Sequence, residues 1–400
     1  MKLKIYNALL STFLILLISC GDYDGDSISC DSGLGLNTTL GDVMLTSQNE
    51  VNNFNRNNHI NGSLFIGFCS DRGSNNIKNL NALSSITEID GTLYISENSL
   101  LTSIGGLINL THIGGNLQII GNSNLNSLNG LNNLTYIGGT LSISLMDDLE
   151  NIDDLNNLKT IEEGLNLWAN KKIKNIDGLM NVNTFGGYIS IVMNESLTNI
   201  KGLGNSNCSS LDRLKIESNH ELTTLEGLET LENIASEGLD YQSGEITIYR
   251  NSKLENINAL SNINYVERSV EVRWNDILPN IEGLSGLSEI NGLLYITENP
   301  LLLTLDGLRN ISTISGSLAI FDNDKVLNLN GLSSLNHVGT TLNIIDNNNL
   351  TDLCGLTTLI QTLDGLNEGW FVENYSQYFE IIDNAYNPTR EDIENGDCSN

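Results

Sequence analysis

Gly91-Thr92-Leu93-Tyr94-Ile95-Ser96-Glu97-Asn98 is the stretch whose reading decides the fold. It holds two apolar residues two apart, with an Asn three positions after the second, and the same arrangement returns along nearly the whole chain. The pairs are Leu64/Ile66, Leu93/Ile95, Leu117/Ile119, Leu141/Ile143, Leu165/Leu167, Ile189/Ile191, Leu214/Ile216, Ile246/Ile248, Val270/Val272, Leu294/Ile296, Leu318/Ile320, Leu342/Ile344 and Phe379/Ile381, thirteen frames with most steps at 24 residues. Asn98, Asn122, Asn170, Asn194, Asn219, Asn251, Asn275, Asn299, Asn323, Asn347 and Asn384 hold the Asn position, while Cys69 and Met146 stand in the two frames that lack it. A fixed period of this length marks a solenoid, in which each repeat buries its apolar face only against its neighbours.

Alternation at period two reads as a short strand, with Leu93 and Ile95 inward and Thr92, Tyr94 and Ser96 outward. The residues that follow, Leu101, Ile104, Leu107, Leu110 and Ile113, recur every three positions. A run at period three drifts off one face of a 3.6-residue helix, so the spacing predicts a polygon of short extended pieces and tight turns. Gly106, Gly130, Gly178, Gly202, Gly227, Gly283, Gly307, Gly331 and Gly355 precede one corner and fit a turn of positive φ. The recurrent Asn is in phase with the inward residues. Its amide can be satisfied there only by backbone groups, so the Asn column is read as a buried ladder from coil to coil, whereas Asn280 stands off it and is expected to be idle. The expected fold is an all-β, right-handed leucine-rich β-solenoid of about thirteen coils at roughly 4.8 Å each, hence about 60 Å long.

Residues 1–19 carry Lys2 and Lys4, an apolar run from Ala8 to Ile18 and then Ser19-Cys20, the shape of a secretory signal too short to span a membrane stably. Leu17-Ile18-Ser19-Cys20 resembles the lipobox of bacterial lipoprotein signals, which implies that Cys20 becomes the lipidated first residue. Residues 20–40 begin Cys20-Gly-Asp-Tyr-Asp-Gly-Asp26, acidic and without a hydrophobic pattern, and read as a flexible tether. An acidic stretch behind a lipidated Cys also resembles surface-export signals of some Gram-negative lipoproteins. Residues 41–69 form an N-terminal cap and first coil: Ser47-Gln-Asn-Glu50 is a capping box opening a short amphipathic helix with Val51 and Phe54. Residues 70–384 are the solenoid and 385–400 a C-terminal cap, with Asn387 as N-cap and Pro388 at the first helical position. Such lids cover the apolar end coils and their unpaired strand edges.

Three frames are long: Ile66 to Ile95, Asn219 to Asn251 and Asn347 to Asn384. Insertions leave a solenoid as loops, and the middle one, around Ser236 to Ser243, lies away from both caps. An exported chain can form disulfides. Cys30 and Cys69 bracket the N-terminal lid and Cys354 and Cys398 the C-terminal one, which leaves Cys208 unpaired.

The consensus Asn-x-x-Leu-x-x-Leu-x-Gly-Leu-x-x-Leu-x-x-Ile-x-Gly-x-Leu-x-Ile resembles the receptor L-domain family, over about Gly62 to Asn384. Leu45-Thr-Ser-Gln-Asn-Glu-Val51 and Asn384-Ala-Tyr-Asn-Pro-Thr389 are similar to the lid sequences of its bacterial members. The resemblance implies a leucine-rich solenoid on the outer face of a cell envelope and, by analogy with receptors, ligand binding. It identifies no ligand, because one scaffold carries many functions.

No catalytic constellation stands out. His59, His112, His220 and His337 read as far apart in repeat phase and mostly isolated, there is no Gly-x-Ser-x-Gly elbow, and no phosphate-binding glycine loop follows a strand. The densest acidic group, Asp147, Asp148, Glu150, Asp153 and Asp154, reads as a solvated face. The expectation is therefore no enzyme, no metal and no cofactor, and a glycan-processing enzyme is disfavoured because no acid and nucleophile pair can be picked out. A net charge of −30 disfavours nucleic acid and anionic lipid surfaces as partners.

Two functions remain: a monomeric adhesin or capture protein, lipid-anchored at the outer membrane and facing outward, that binds an extracellular protein or glycan, or an acidic envelope spacer without a specific ligand. Outward aromatics and Arg are characteristic of recognition surfaces. Tyr94, Tyr295 and Phe321, beside Trp168, Tyr249 and Arg273, with Tyr188 slightly earlier in its frame, are the candidate ligand-binding residues.

Overall fold

The computed structural model describes residues 41–55, 58–67, 76–235, 243–362 and 379–400. The expected signal segment and tether, with Cys20 and Cys30, and Cys69 and nearly all of the middle insertion lie outside these residues. Fourteen strands, from Val43–Leu45 to Phe379–Ile382, stack in sequence order into one sheet. Every pairing between them is parallel, and the inward pairs keep step, as in Leu165↔Ile189↔Leu214↔Ile246↔Val270↔Leu294↔Leu318↔Leu342. The chain is an all-β leucine-rich solenoid. Val43/Leu45 adds one strand ahead of the thirteen expected, pairing with Leu64–Gly67. It escapes the sequence pattern because Gln48, three positions after Leu45, already belongs to a helix.

After the strand and its Asn, the residues at period three enter the core, which is one continuous column of Leu and Ile from Val43 to Cys398. Most coils place a 3-10 turn at the next corner, such as Asp306–Leu308, and then a two-residue strand. The short strands form a six-stranded parallel sheet from His59–Ile60 to Thr184–Phe185 and two three-stranded ones farther on.

The glycine corners correct one expectation. Of the nine, Gly130 and Gly227 have positive φ, at 129° and 114°. At Gly106, Gly178, Gly202, Gly283, Gly307, Gly331 and Gly355, a Cβ would collide with the carbonyl oxygen of the coil before: Ile281 for Gly307, Ile257 for Gly283. Close backbone approach, rather than φ, demands glycine there. The coils of Gly130 and Gly227 turn without a 3-10 helix. The coils directly after them carry Asp154 and Ala259 at the glycine position, as the first coil carries Ala82.

The Asn column is a buried hydrogen-bond ladder. In mid-solenoid the Asn275 backbone N–H donates to Asn299 Oδ1 at 3.1 Å, and its Nδ2 donates to the carbonyls of Ile248 (3.1 Å) and Arg273 (3.0 Å). Comparable bonds run from Asn98 to Asn122 and from Asn170 through Asn347 to Asn384. Met146, fully buried, interrupts them; its own N–H still donates to Asn170 Oδ1. Asn280 is not idle, because its Oδ1 accepts from Glu282 N at 3.2 Å and closes the start of a 3-10 turn.

At the N-terminal end the helix Gln48–Asn52 has the Ser47/Glu50 capping box, with Val51 buried. The C-terminal end departs from the expectation. The cap of the helix Arg390–Glu394 is Thr389, in a capping box with Asp392. Asn387 instead terminates the ladder, its Oδ1 accepting from both the N–H and the Nδ2 of Asn384. Its side chain is consumed by the last rung, so the cap falls to the residue after Pro388. A further helix, Thr357–Thr362, follows the last 3-10 corner, and Cys354 is bonded to Cys398. Cys208 is free and buried, and burial pushes its thiol up to about 11. Among the described residues no helix is long and apolar enough to cross a membrane.

Candidate ligand-binding face

Inward packing of each pair leaves the alternate residues of the long sheet on its outer face. Register sorts them into columns. The column at the strand ends reads Trp168, Val192, Glu217, Tyr249, Arg273, Thr297 and Phe321. Six strand steps of about 4.8 Å put Trp168 and Phe321 about 29 Å apart along the stack. Tyr295 lies in the middle column, in register with Glu271, and Phe321 belongs to the end column rather than beside Tyr295. Tyr188 lies in the column at the strand starts, with the Arg213 guanidinium 5.2 Å from its ring centre.

Tyr94 does not join this group. Two strands lie between it and Trp168, and it is 5% exposed, its ring beside Phe65 on the neighbouring strand at 6.2 Å. In-register packing along the stack covers an outward side chain, so facing away from the core does not ensure contact with water. Ser96, Ser142 and Ser144 are buried on the same face.

The non-glycine residue before each ladder position, Met146 included, forms a row that sequence reasoning missed. Glu97, Leu145, Ala169, Met193, Ser218, Arg250, Trp274, Glu298, Asp322, Asp346 and Asp383 all adopt φ of 54–59°. A left-handed residue costs a non-glycine side chain roughly 1 kcal/mol or more, and here it swings the following Asn into the core. No residue type is required, only a conformation, so no pattern of letters marks the row. Its position one before the Asn was the available signal.

Where this row meets the end column, four side chains converge. Tyr249 and Trp274 meet edge to face with ring centres 6.5 Å apart. The Arg250 guanidinium lies 5.7 Å from the Tyr249 ring centre and 5.3 Å from that of Trp274, and Arg273 lies 5.9 Å from Tyr249. Arg273 is held in turn by Thr297 Oγ1 at 3.0 Å and Glu271 Oε2 at 3.3 Å. Trp274 remains 40% exposed. Burial pushes the Tyr249 and Tyr295 phenols above their ordinary value. Burial also pushes the neighbouring Glu298 carboxyl up to about 7; Asp322 adds to the rise while Arg273 and Arg250 oppose it, and Glu298 Oε2 is buried without a hydrogen-bond partner. The patch can stack flat apolar groups on its rings and donate charged hydrogen bonds from two guanidiniums.

The acidic cluster is a solvated face tied between coils. Asp147, Asp148 and Glu150 pair with Lys171, Lys172 and Lys174 at 2.8, 2.6 and 4.0 Å. The histidines correct the expectation that they are far apart in repeat phase, since His59 and His112 occupy the same position of the short strands. His59, Glu88, His112 and Tyr136 fall in register on successive short strands, with His112 stacked on Tyr136 at 4.3 Å between ring centres.

No protein-family model matches the chain, and no curated protein matches it. Among solved structures it is similar to an internalin from Listeria monocytogenes, at 15% identity and a TM-score of 0.30, over 76% of this chain and 75% of that one. It is also similar to a leucine-rich-repeat protein from Leptospira interrogans, at 14% identity and a TM-score of 0.31, over 77% and 82%.

Proposed function

We propose that the chain is a lipid-anchored binding or adhesion protein of the cell surface, tethered through Cys20, that presents the outer face of its long sheet to an extracellular protein or glycan. The reading rests on the convergence of Tyr249, Arg250, Arg273 and Trp274. A sheet face without a partner is served by small polar residues, as at Thr140, Ser142 and Ser144, whereas half-exposed aromatics clasped by arginines suit a recognition centre. The signal-like start and the lipobox-like Leu17-Ile18-Ser19-Cys20 support the anchor. A glycan array and a cross-linking pull-down with residues 21–400 are expected to return a ligand whose binding is lost in the folded triple variant Tyr249→Ala, Arg273→Ala, Tyr295→Ala. Binding that survives the triple variant removes this face as the site. An empty screen favours the envelope spacer.

A further inference from the structure

The N-terminal end of the solenoid carries a second site, of different chemistry and independent of the ligand face. His59 stands on the short strand His59–Ile60 and Glu88 on the next, Glu88–Ile89, paired directly with it. Asp90 follows two residues after Glu88. Ile60 and Ile89 are buried, so strand alternation turns His59, Glu88 and Asp90 together to the outside. His59 Nε2 lies 2.7 Å from Asp90 Oδ1. One ligand atom from each of the three residues falls within 4.8 Å of the other two.

We propose that His59, Glu88 and Asp90 bind a divalent transition metal of the zinc type, which staples the first two short strands together beside the N-terminal cap. One imidazole nitrogen and two carboxylates are donors that such an ion accepts at about 2.0–2.2 Å, and small side-chain rotations bring the three atoms to that radius. The imidazole selects against calcium, which takes six to eight oxygens, and against magnesium, which keeps its water. The fourth position is left for water. The donors come from two coils whose spacing the strand pairing fixes, so the site is preorganised by the fold. The chain's net charge of −30 raises the local concentration of any cation. Ends are where a solenoid opens first, and a metal that binds only the closed arrangement holds that end shut.

The test uses the full chain, freed of metal by chelation and titrated with Co²⁺, followed by its visible d–d bands and by calorimetry. One saturable site with nitrogen and oxygen ligation is expected, with Zn²⁺ displacing Co²⁺ and excess Ca²⁺ failing to. Binding should be lost in His59→Ala and in the double variant Glu88→Gln, Asp90→Asn, and kept in His337→Ala. The His59 side chain is 42% exposed, so its removal should leave the far-ultraviolet circular dichroism unchanged. His59→Gln, which keeps a donor for Asp90, should fail to bind as His59→Ala does. Zn²⁺ should raise the melting temperature of the parent and of His337→Ala but not of either His59 variant. The proposal is overturned by absence of saturable binding, by binding that survives in the His59 variants, by thiolate charge-transfer bands, or by displacement with Ca²⁺.

Discussion

Asn275 shows what a single side chain does in this molecule. Its Oδ1 accepts from Asn251 on one side while its own N–H and Nδ2 reach the next and preceding coils. Asn275→Ala deprives buried backbone groups of partners that no water replaces, and is expected to cost about 1–3 kcal/mol. Asn280→Ala removes one bond at a half-buried corner and should cost about 0.5–1.5 kcal/mol. Urea unfolding of the two variants distinguishes them, and equal shifts would remove the special role of the ladder. Glu298 makes a pH prediction. Its folded pKa of about 7 lies above the ordinary glutamate value of 4.5, so the protonated carboxyl stabilises the fold below pH 4.5, and that contribution is lost as pH rises through 7. Glu298→Gln should therefore raise the melting temperature relative to the parent at pH 8 and leave it nearly unchanged at pH 4. A gain of equal size at both pH values contradicts the assignment.

Turns and caps act at the scale of the element. Gly307→Ala places a methyl against the Ile281 carbonyl, backbone that cannot move without shifting the coil below, and should cost more than about 2 kcal/mol. Ala259→Gly, where a Cβ is already tolerated, should cost about 0.5–1 kcal/mol through the unfolded chain's entropy. Denaturant midpoints check the order. The Cys354–Cys398 bridge closes a separation of 44 residues around the C-terminal cap, and Cys398→Ser is expected to lower stability by about 2–4 kcal/mol, read by thermal melts with and without reductant. These elements also show how far letters alone reach. The inward pairs and the Asn column were legible because the core accepts few residue types there. The glycine corners were found but misread, since a sequence does not reveal which coil's carbonyl lies beneath a turn. The left-handed row was invisible because its requirement is a dihedral angle, and Arg250 and Trp274 were missed with it. His59 and His112 looked isolated because two coils, which the fold returns to one register, separate them in sequence.

Over the whole molecule, Met146 divides the ladder. N-terminal to it the run is Asn98 and Asn122; C-terminal to it the run is continuous from Asn170 to Asn384 and ends on Asn387. In a stack where each coil contacts only its neighbours, a weakened joint lets one block open without the other. Native-state hydrogen exchange should show residues 93–137 exchanging through openings of lower free energy than residues 189–320. One common free energy for both blocks would refute the joint. Met146→Asn should reduce the difference by restoring an acceptor facing Asn122.

The left-handed row carries a further consequence, for how such a protein changes over generations. Core positions and display positions lie next to each other in every repeat, yet the backbone holds the display residue at a nearly constant φ whether it is glutamate, methionine, arginine or tryptophan. A substitution there alters what the molecule offers to a neighbour without reopening the question of whether it folds. Gain or loss of a whole 24-residue unit lengthens or shortens the row while each remaining side chain keeps its spacing. Mutation can thus revise the message one character at a time and leave the page intact.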